Sequence, residues 1–300
     1  MAAHNCLVSV GIPTRNRSSL LARALESILA QDHARVEAVV SDNASTDDTE
    51  AVCRALAGRD SRVRYTRQPQ NIGATANFNA VLAAARGDYF MWLSDDDWLD
   101  ANYLSACLDV LKAGAGTSMV AGVCRLYDEQ STFLRDDPPT DVTQATPAQR
   151  VLAYYATVGY NSIFYGLMPT RLARLSPMRN MLANDWVLVA TMALQGQVLT
   201  TQATRVHRTV GVGASRSVRN VVHALGLPAW QARVPRLTVT WNASRALLHA
   251  SWPDPTPRAT RVRTALLSFL ILFVRYSWFR RLFPRPLRAA LTRRFAAAQS

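Results

Sequence analysis

The fold is decided by the stretch Gly87-Asp88-Tyr89-Phe90-Met91-Trp92-Leu93-Ser94-Asp95-Asp96-Asp97, in which a short apolar run ends in three consecutive carboxylates. The run Gly87–Leu93 predicts a buried strand. Neighbouring carboxylates raise one another's pKa unless a cation lies among them, and oxygen ligands suit Mg²⁺ or Mn²⁺, which complete their shells with substrate phosphates. The alternative interpretation is an acidic turn that caps the next predicted helix, Ala101–Ala113.

Three further strand-and-helix units precede this stretch. The predicted strands are Leu7–Ile12, Val36–Val40 and Val63–Gln68, and the predicted helices are Ser18–Gln31, a second ending near Leu56, and Ala74–Ala85. Strands that alternate with helices predict an α/β protein with a mostly parallel sheet. The carboxyl ends of parallel strands meet at one edge, where ligands bind in such sheets.

Polar residues follow the first two strands at this edge. The loop Pro13-Thr14-Arg15-Asn16-Arg17 lies where a strand ends and a helix begins, a position that favours anions, although a solvated loop is the alternative. Asp42 ends the second strand, where a carboxylate can accept a hydrogen bond from a ribose hydroxyl or a base N–H. Ser45 and Asp48 are expected to form a capping box for the helix that follows.

Charge is distributed unevenly along the chain. The 300 residues carry a net charge of +13, and residues 201–300 contain 17 basic and one acidic residue. This excess predicts an acidic partner, which is anionic lipid, a phosphorylated carrier or nucleic acid. The four cysteines have no metal-ligand spacing, and no signal peptide is recognised, so we expect reduced thiols and a cytoplasmic protein.

Several motifs together resemble those of the family-2 glycosyltransferases of GT-A fold. In chain order they are Val8–Arg17, Ser41–Asp47, Asn71–Gly73, Gly87–Tyr89 and Ser94–Asp97. The resemblance implies a nucleoside diphosphate sugar as donor, with a UDP-sugar expected. It implies the following donor contacts: Pro13, Thr14, Asn16, Arg17, Asp42, Asn71, Gly73, Asp95 and Arg208.

The same resemblance implies a divalent cofactor, Mn²⁺ or Mg²⁺, held against the diphosphate by the acidic triplet. The family often has Asp-x-Asp-Asp here. If the last two acids of that motif are aligned with Asp96 and Asp97, Ser94 takes the place of the first acid and Asp96 is the expected ligand. If the motif is instead read as Asp-x-Asp within the triplet, Asp95 and Asp97 are the pair of ligands. Both registers stay open, and His207 is a further candidate ligand. The chain also has Ser41 where the family often has a first Asp.

Asp185 is the candidate general base. It resembles the acid of the family's Glu-Asp motif, with Asn184 in the preceding place, and inverting transfer needs one carboxylate to take the proton of the acceptor hydroxyl. The alternative is a carboxylate that merely favours the start of a helix. The aromatic stretch Gly159–Leu167 is either a core strand or a platform for a sugar ring, and Arg205–Ser215 is expected to be flexible.

The last third of the chain contains two helical patterns, Pro228–Ala250 and Arg258–Phe283. The apolar run Ala265–Val274 is too short to span a bilayer, but the flanking arginines and the aromatic residues Tyr276, Trp278 and Phe279 fit a helix in the headgroup layer. The alternative is a helix packed on the catalytic part. We therefore expect a GT-A domain at residues 1–215, with a donor half at 1–100 and an acceptor half at 101–215, and a basic helical region at 216–300.

The sequence thus predicts an inverting, metal-dependent glycosyltransferase that extends a glycan or a lipid-linked acceptor in cell-surface polysaccharide synthesis. It is expected to be peripheral on the inner face of the cytoplasmic membrane, which residues 258–300 would contact. One alternative is transfer of a sugar to a polyprenyl phosphate. Another is a non-catalytic basic module that binds nucleic acid or membrane, although no nucleic-acid motif is recognised and no nucleic-acid partner is expected.

Overall fold

The computed structural model describes residues 5–210, 217–253 and 255–276. Its first sheet has the strand order β3-β2-β1-β4-β8. The strands are β1 (Val8–Thr14), β2 (Val36–Asp42), β3 (Val63–Arg67), β4 (Tyr89–Trp92) and β8 (Met168–Pro169). The first four are parallel, and β8 pairs antiparallel with β4. The predicted parallel sheet is confirmed, with β1 as its central strand.

Helices α1 (Ser18–Leu29), α2 (Thr49–Arg59) and α3 (Ala74–Ala84) connect these strands. On α1, Leu21, Leu25 and Ile28 recur with helical spacing and are fully buried. Every residue of β1 and β2 is buried, as expected for a parallel sheet covered on both faces.

A second sheet has the strand order β5-β9-β6-β7. Its strands are β5 (Trp98–Leu99), β6 (Thr117–Tyr127), β7 (Phe133–Asp136) and β9 (Gln197–Thr209), and helix α4 (Tyr103–Ala113) packs on β6 and β9. The long parallel pair of β6 and β9 has a register shift between Gly122 and Val123. Residues 205–209, predicted to begin a flexible stretch, instead belong to β9, because they pair with β6.

The part of the chain between β7 and β9 contains, besides β8, the helices α5 (Pro147–Thr157), α6 (Thr170–Ala173) and α7 (Asn184–Gln195). The stretch Gly159–Leu167 is not a core strand: Asn161 takes a left-handed conformation (φ 58°) and begins a single 3₁₀ turn at residues 162–165. The alternative, a platform for a sugar ring, stays a prediction. Arg150 of α5 donates hydrogen bonds to the carbonyl oxygens of Ala193 and Leu194, which have no partner within α7 because they lie in its last turn.

The C-terminal part contains α8 (Val218–Ala224), α9 (Pro235–Leu248) and α10 (Arg258–Tyr276), with a 3₁₀ turn at residues 229–232. Helix α10 packs on α5 and α9, and Leu247 and Leu272 are buried in the same core cluster as Tyr155. The predicted helical end up to Phe283, with its aromatic and arginine residues beyond 276, lies outside the described residues. Among the described helices, none is long and apolar enough to cross a bilayer.

Candidate active site

The acidic triplet follows β4 at the carboxyl edge of the first sheet. Thr14, at the end of β1, donates its hydroxyl to Asp95 Oδ2 at 2.7 Å. Asp97 Oδ2 accepts the hydroxyl of Tyr165, and its Oδ1 accepts the backbone N–H of Thr209 at 3.0 Å. The carboxylates of Asp95 and Asp97 are thus each held by a partner from another element.

These carboxyl groups are electrostatically strained. Burial, together with the charge of Asp96, raises the pKa of Asp95 and of Asp97 to about 7. Burial also raises the pKa of Asp96, although the facing charges of Arg17 and Arg208 oppose this. A divalent cation would relieve the repulsion, so the chemistry of this donor set fits a hard metal ion.

Over the described ranges, no three Asp, Glu, His or Cys side chains converge into a ready-made metal cage. A Mg²⁺ or Mn²⁺ ion held by one or two carboxylates would take its remaining ligands from water and phosphate. Within the described chain, no other residue donates a hydrogen bond to the carboxylate of Asp96, and which of the three would bind the metal stays a prediction.

The predicted donor loops are fastened to one another. Asn16 (φ 53°) accepts the backbone N–H of Thr46 at 2.8 Å, and its own N–H donates to Ser45 Oγ at 2.9 Å. Asn71 Oδ1 accepts from the side chain of Asn43 at 2.8 Å and from the N–H of Gly73 at 3.0 Å. These contacts bring the loops after β1, β2 and β3 together at one edge. The buried Pro13 lies at the end of β1, and Arg17 faces the triplet.

The predicted donor contact of Asp42 is not supported. Its side chain is fully buried, Oδ1 accepts the N–H of Ser45 at 2.8 Å, and Oδ2 accepts the hydroxyl of Tyr65 at 2.8 Å. Asp42 therefore shapes the loop after β2. The expected capping box is also wrong, because Ser45 Oγ accepts from Asn16 and the Asp48 side chain caps no backbone N–H of α2.

His207 does not join the acidic triplet as a metal ligand in this arrangement. Its Nε2 is 2.8 Å from Asp100 Oδ1, and its Nδ1 is 3.0 Å from the hydroxyl of Tyr127. Its ring also stacks on Trp98, with the centroids 4.9 Å apart. Since both ring nitrogens have partners, His207 fastens β9 to β5 and β6.

Asp185 lies in the first turn of α7, which follows a left-handed Ala183 (φ 67°). Asn161 donates its side-chain N–H to Asp185 Oδ2 at 2.9 Å, and Tyr154 donates its hydroxyl to Asn161 Oδ1 at 2.7 Å. Burial raises the pKa of Asp185, while the hydrogen bond from Asn161 lowers it. Sequence reasoning missed this role of Asn161. The one feature of the sequence that could have indicated it is that Asn161 is a polar residue within an aromatic stretch.

One pocket of about 290 Å³ is lined by residues of both the predicted donor half, 1–100, and the predicted acceptor half, 101–215. Its polar lining includes Ser94 at the start of the triplet segment, Asp185 and Arg208. Its apolar lining includes Phe78, Phe164, Leu182, Val221 and Leu225. The pocket therefore combines an apolar wall, suited to the faces of sugar rings, with a carboxylate and a guanidinium.

Arg208 lines this pocket together with Asp185, and its charge also acts on Asp97 of the triplet. Burial by itself would lower its pKa, but the facing groups, which include Tyr165, Asp97 and Asp185, raise it above the ordinary value. The guanidinium lies over the Tyr165 ring, with its Cζ 5.6 Å from the ring centroid. Arg208 thus places a permanent positive charge between the triplet and Asp185.

Comparisons with known proteins agree with this geometry. Residues 9–168 match the family described as Glycosyl transferase family 2. The chain is 38% identical over 123 residues to the GalNAc(5)-diNAcBac-PP-undecaprenol beta-1,3-glucosyltransferase of Campylobacter jejuni, covering 41% of this chain and 39% of that protein. It is 35% identical over 105 residues to the putative colanic acid biosynthesis glycosyl transferase WcaA of Escherichia coli K12, covering 35% of this chain and 38% of the relative.

Two solved structures share the fold. TarS 1-349 of S. aureus in complex with UDP-GlcNAc aligns with a TM-score of 0.63 at 15% identity, covering 93% of this chain and 77% of that one. The mannosyltransferase PcManGT of Pyrobaculum calidifontis in complex with GDP-Man and Mn²⁺ aligns with a TM-score of 0.53 at 15% identity, covering 99% and 81%.

The family match covers more than half of the chain, whereas the chain spans about two fifths of the length of the two curated relatives. The order of strands, the position of the acidic triplet and the matching structures agree with the fold that the sequence predicted. The chain belongs to glycosyl transferase family 2 and has a GT-A fold.

Proposed function

We propose that this protein is an inverting, metal-dependent glycosyltransferase that moves a sugar from a nucleoside diphosphate sugar, with a UDP-sugar expected, to a glycan or lipid-linked acceptor. One observation carries the proposal: a single pocket is lined by Asp185, Arg208 and Ser94, the residue directly before the triplet, and the charge of Arg208 acts on both Asp97 and Asp185. Arg208 therefore links the candidate base for the acceptor to the candidate charged site for the donor diphosphate.

The donor would lie along the edge formed by the ends of β1 and β2 and the start of α3. Thr14, Asn16, Arg17, Asn71 and Gly73 line this edge through the contacts described above. Asp96, with Asp95 or Asp97 beside it, would hold Mn²⁺ or Mg²⁺, which would offset the negative charge of the diphosphate when bound. The UDP-GlcNAc complex of TarS and the GDP-Man and Mn²⁺ complex of PcManGT support this assignment.

Asp185 would take the proton of the acceptor hydroxyl as that oxygen attacks the anomeric carbon on the face opposite the diphosphate. Its raised pKa makes it a stronger base than an exposed aspartate. Asn161 orients the carboxylate through its bond to Oδ2. Arg208 would stabilise the negative charge that develops on the departing diphosphate.

We propose that the acceptor belongs to cell-surface polysaccharide synthesis and is carried on a membrane lipid. The name of the Campylobacter relative, which specifies a saccharide on undecaprenyl diphosphate, supports this acceptor class. Such an acceptor would place the protein peripherally on the inner face of the cytoplasmic membrane, with residues 258–300 at the anionic surface.

Two substitutions separate donor binding from transfer. We expect Asp96→Ala to weaken Mn²⁺-dependent binding of the nucleotide at least about tenfold, because it removes the most available metal ligand. We expect Asp185→Asn to leave that binding unchanged and to lower kcat about 10²- to 10⁴-fold, because an amide cannot accept the proton. The measurements are calorimetric titration with UDP and GDP, with and without Mn²⁺, and transfer of labelled sugar.

Asp32→Asn is the control, because Asp32 is an exposed carboxylate in the loop between α1 and β2. It should change neither readout. Normal turnover by Asp185→Asn would refute the assignment of the base. Nucleotide binding that is equally tight without metal in the wild type would refute the metal-dependent donor site.

A further inference from the structure

Helix α9 exposes an apolar stripe. Leu237, Trp241 and Leu248 follow the spacing i, i+4, i+11, which places them along one side of the helix. Their exposed fractions are 48%, 56% and 41%. The opposite side of α9 is buried in the core through Ala243 and Leu247. This helix is therefore apolar on both sides, and among the residues that the structure describes only one side is buried.

Helix α10 repeats the pattern. Val262, Leu266, Leu270 and Phe273 follow the spacing i, i+4, i+8, i+11, and their exposed fractions are 40%, 66%, 44% and 36%. The other side of α10 is buried against α5 and α9, through residues that include Leu272. The sequence left two interpretations of this helix, packing on the catalytic part or lying in the headgroup layer of a membrane. One side of α10 is packed, as the first requires, and the other side is apolar and exposed, as the second requires.

The two stripes adjoin each other. Trp241 contacts the edge of Phe269 with ring centroids 6.5 Å apart, and Phe269 stacks on Phe273 at 5.9 Å. We call the seven exposed apolar residues of the two helices the α9–α10 surface. An exposed apolar area of contiguous residues on a folded protein marks a contact site.

The charge around this surface has one sign. Within residues 217–253 and 255–276, the chain has eight arginines and no Asp or Glu. The arginines are Arg219, Arg233, Arg236, Arg245, Arg258, Arg261, Arg263 and Arg275. Arg236 and Arg245 on α9 and Arg263 on α10 are exposed beside the stripes. Self-association through this surface would bring positive charges together, whereas an anionic bilayer supplies both an apolar layer and negative headgroups.

We propose that the α9–α10 surface docks on an anionic phospholipid bilayer, with Trp241 and Leu266 entering the boundary between headgroups and acyl chains. The proposal deepens the proposed function, on which it rests for the presence of the acceptor in the membrane. It extends the contact predicted for residues 258–300 to α9. The surface is joined to the pocket through packed elements. Helix α9 contacts the 229–232 turn, and that turn contacts α8, whose Val221 lines the pocket together with Leu225, the residue that follows α8.

Flotation of the full chain with vesicles tests the proposal. We expect the wild type to float with vesicles of phosphatidylcholine and phosphatidylglycerol and to bind pure phosphatidylcholine about tenfold less. The variant Trp241→Ser/Leu266→Ser should bind the anionic vesicles about tenfold less than the wild type, because it loses two apolar anchors. The matched control is Phe133→Ser/Leu134→Ser on β7, whose residues are 51% and 50% exposed, and it should bind like the wild type.

Three results would overturn the proposal. The first is that the wild type does not bind anionic vesicles. The second is that the Trp241→Ser/Leu266→Ser variant binds them as tightly as the wild type. The third is that the wild type binds no vesicles but forms a dimer in light scattering, and this variant abolishes the dimer. Thermal unfolding of each variant verifies that it is folded. The variant Arg236→Glu/Arg245→Glu tests the contribution of positive charge to binding, and it should remove the preference for anionic vesicles. A chain that floats but neither binds nucleotide nor transfers sugar would refute the proposed function and leave the docking intact.

Discussion

Asn161 shows how a single side chain can set the chemistry of the proposed base. It lies between Tyr154 and Asp185 and has a left-handed backbone, which asparagine adopts more readily than most residues. The hydroxyl of Tyr154 holds the side-chain oxygen of Asn161, and in this orientation the amide N–H faces Asp185. Asn161 is therefore a positioning residue, which acts on the reaction through Asp185.

The variant Asn161→Gly keeps the left-handed backbone accessible and removes the amide. Because the hydrogen bond from Asn161 lowers the pKa of Asp185, its loss should raise that pKa, and the acid limb of kcat/KM should move to higher pH. Below the limb we expect about tenfold lower kcat/KM, with near-normal rates above it. Tyr154→Phe should produce a smaller shift in the same direction. A uniform loss at every pH would contradict the positioning role.

At the level of secondary structure, the pairing of β6 with β9 determines where Arg208 lies. The register shifts where Gly122 opposes Thr201 and Val123 opposes Arg205, so β9 bulges at this point. A Cβ atom on Gly122 would lie 2.7 Å from the carbonyl oxygen of Thr204. The close approach of the two backbones thus requires glycine.

Gly122→Ala should lower the free energy of unfolding by about 1–3 kcal/mol, because the two strands must separate or bend to admit the methyl group. Gly58→Ala is the matched control: a Cβ there would meet nothing within 4 Å, and the residue lies in α2. We expect it to stabilise the protein by about 0.5–1 kcal/mol. Chemical denaturation measures both. Equal effects of the two substitutions would show that the strand contact is not constrained.

The sequence predicted β1 to β4, the helices between them and α4 well, because apolar runs, turn residues and helical spacing all indicate the same elements, but it did not predict the two-residue strand β5. It did not predict β9, whose strand is mostly polar and is recognised only through its pairing with β6. The triplet and Asp185 could be found from their position after a strand and at a helix start. The partners of Asp42 and His207 could not, because Tyr65 and Asp100 reach them only through tertiary contacts.

At the scale of the whole molecule, the core crosses the boundary predicted at residue 215. Tyr155 of α5, Leu188 of α7 and Leu272 of α10 belong to one buried cluster. The C-terminal helices therefore cover part of the catalytic half with one side and expose the α9–α10 surface with the other. A division into 1–215 and 216–300 stays a prediction about the chain, and any shortened form should be judged against this shared packing.

The position of Arg208 between Asp97 and Asp185 has a consequence for energetic additivity. Each carboxylate is a counter-charge for the same half-buried guanidinium, so either one alone still partners it. In a double-mutant cycle on the unfolding free energy, Asp97→Asn combined with Asp185→Asn should destabilise by about 0.5–3 kcal/mol more than the sum of the two single effects. Asp97→Asn combined with Asp32→Asn should be additive. Asp97 and Asp185 would then contribute to the free energy of unfolding through one shared counter-charge rather than independently.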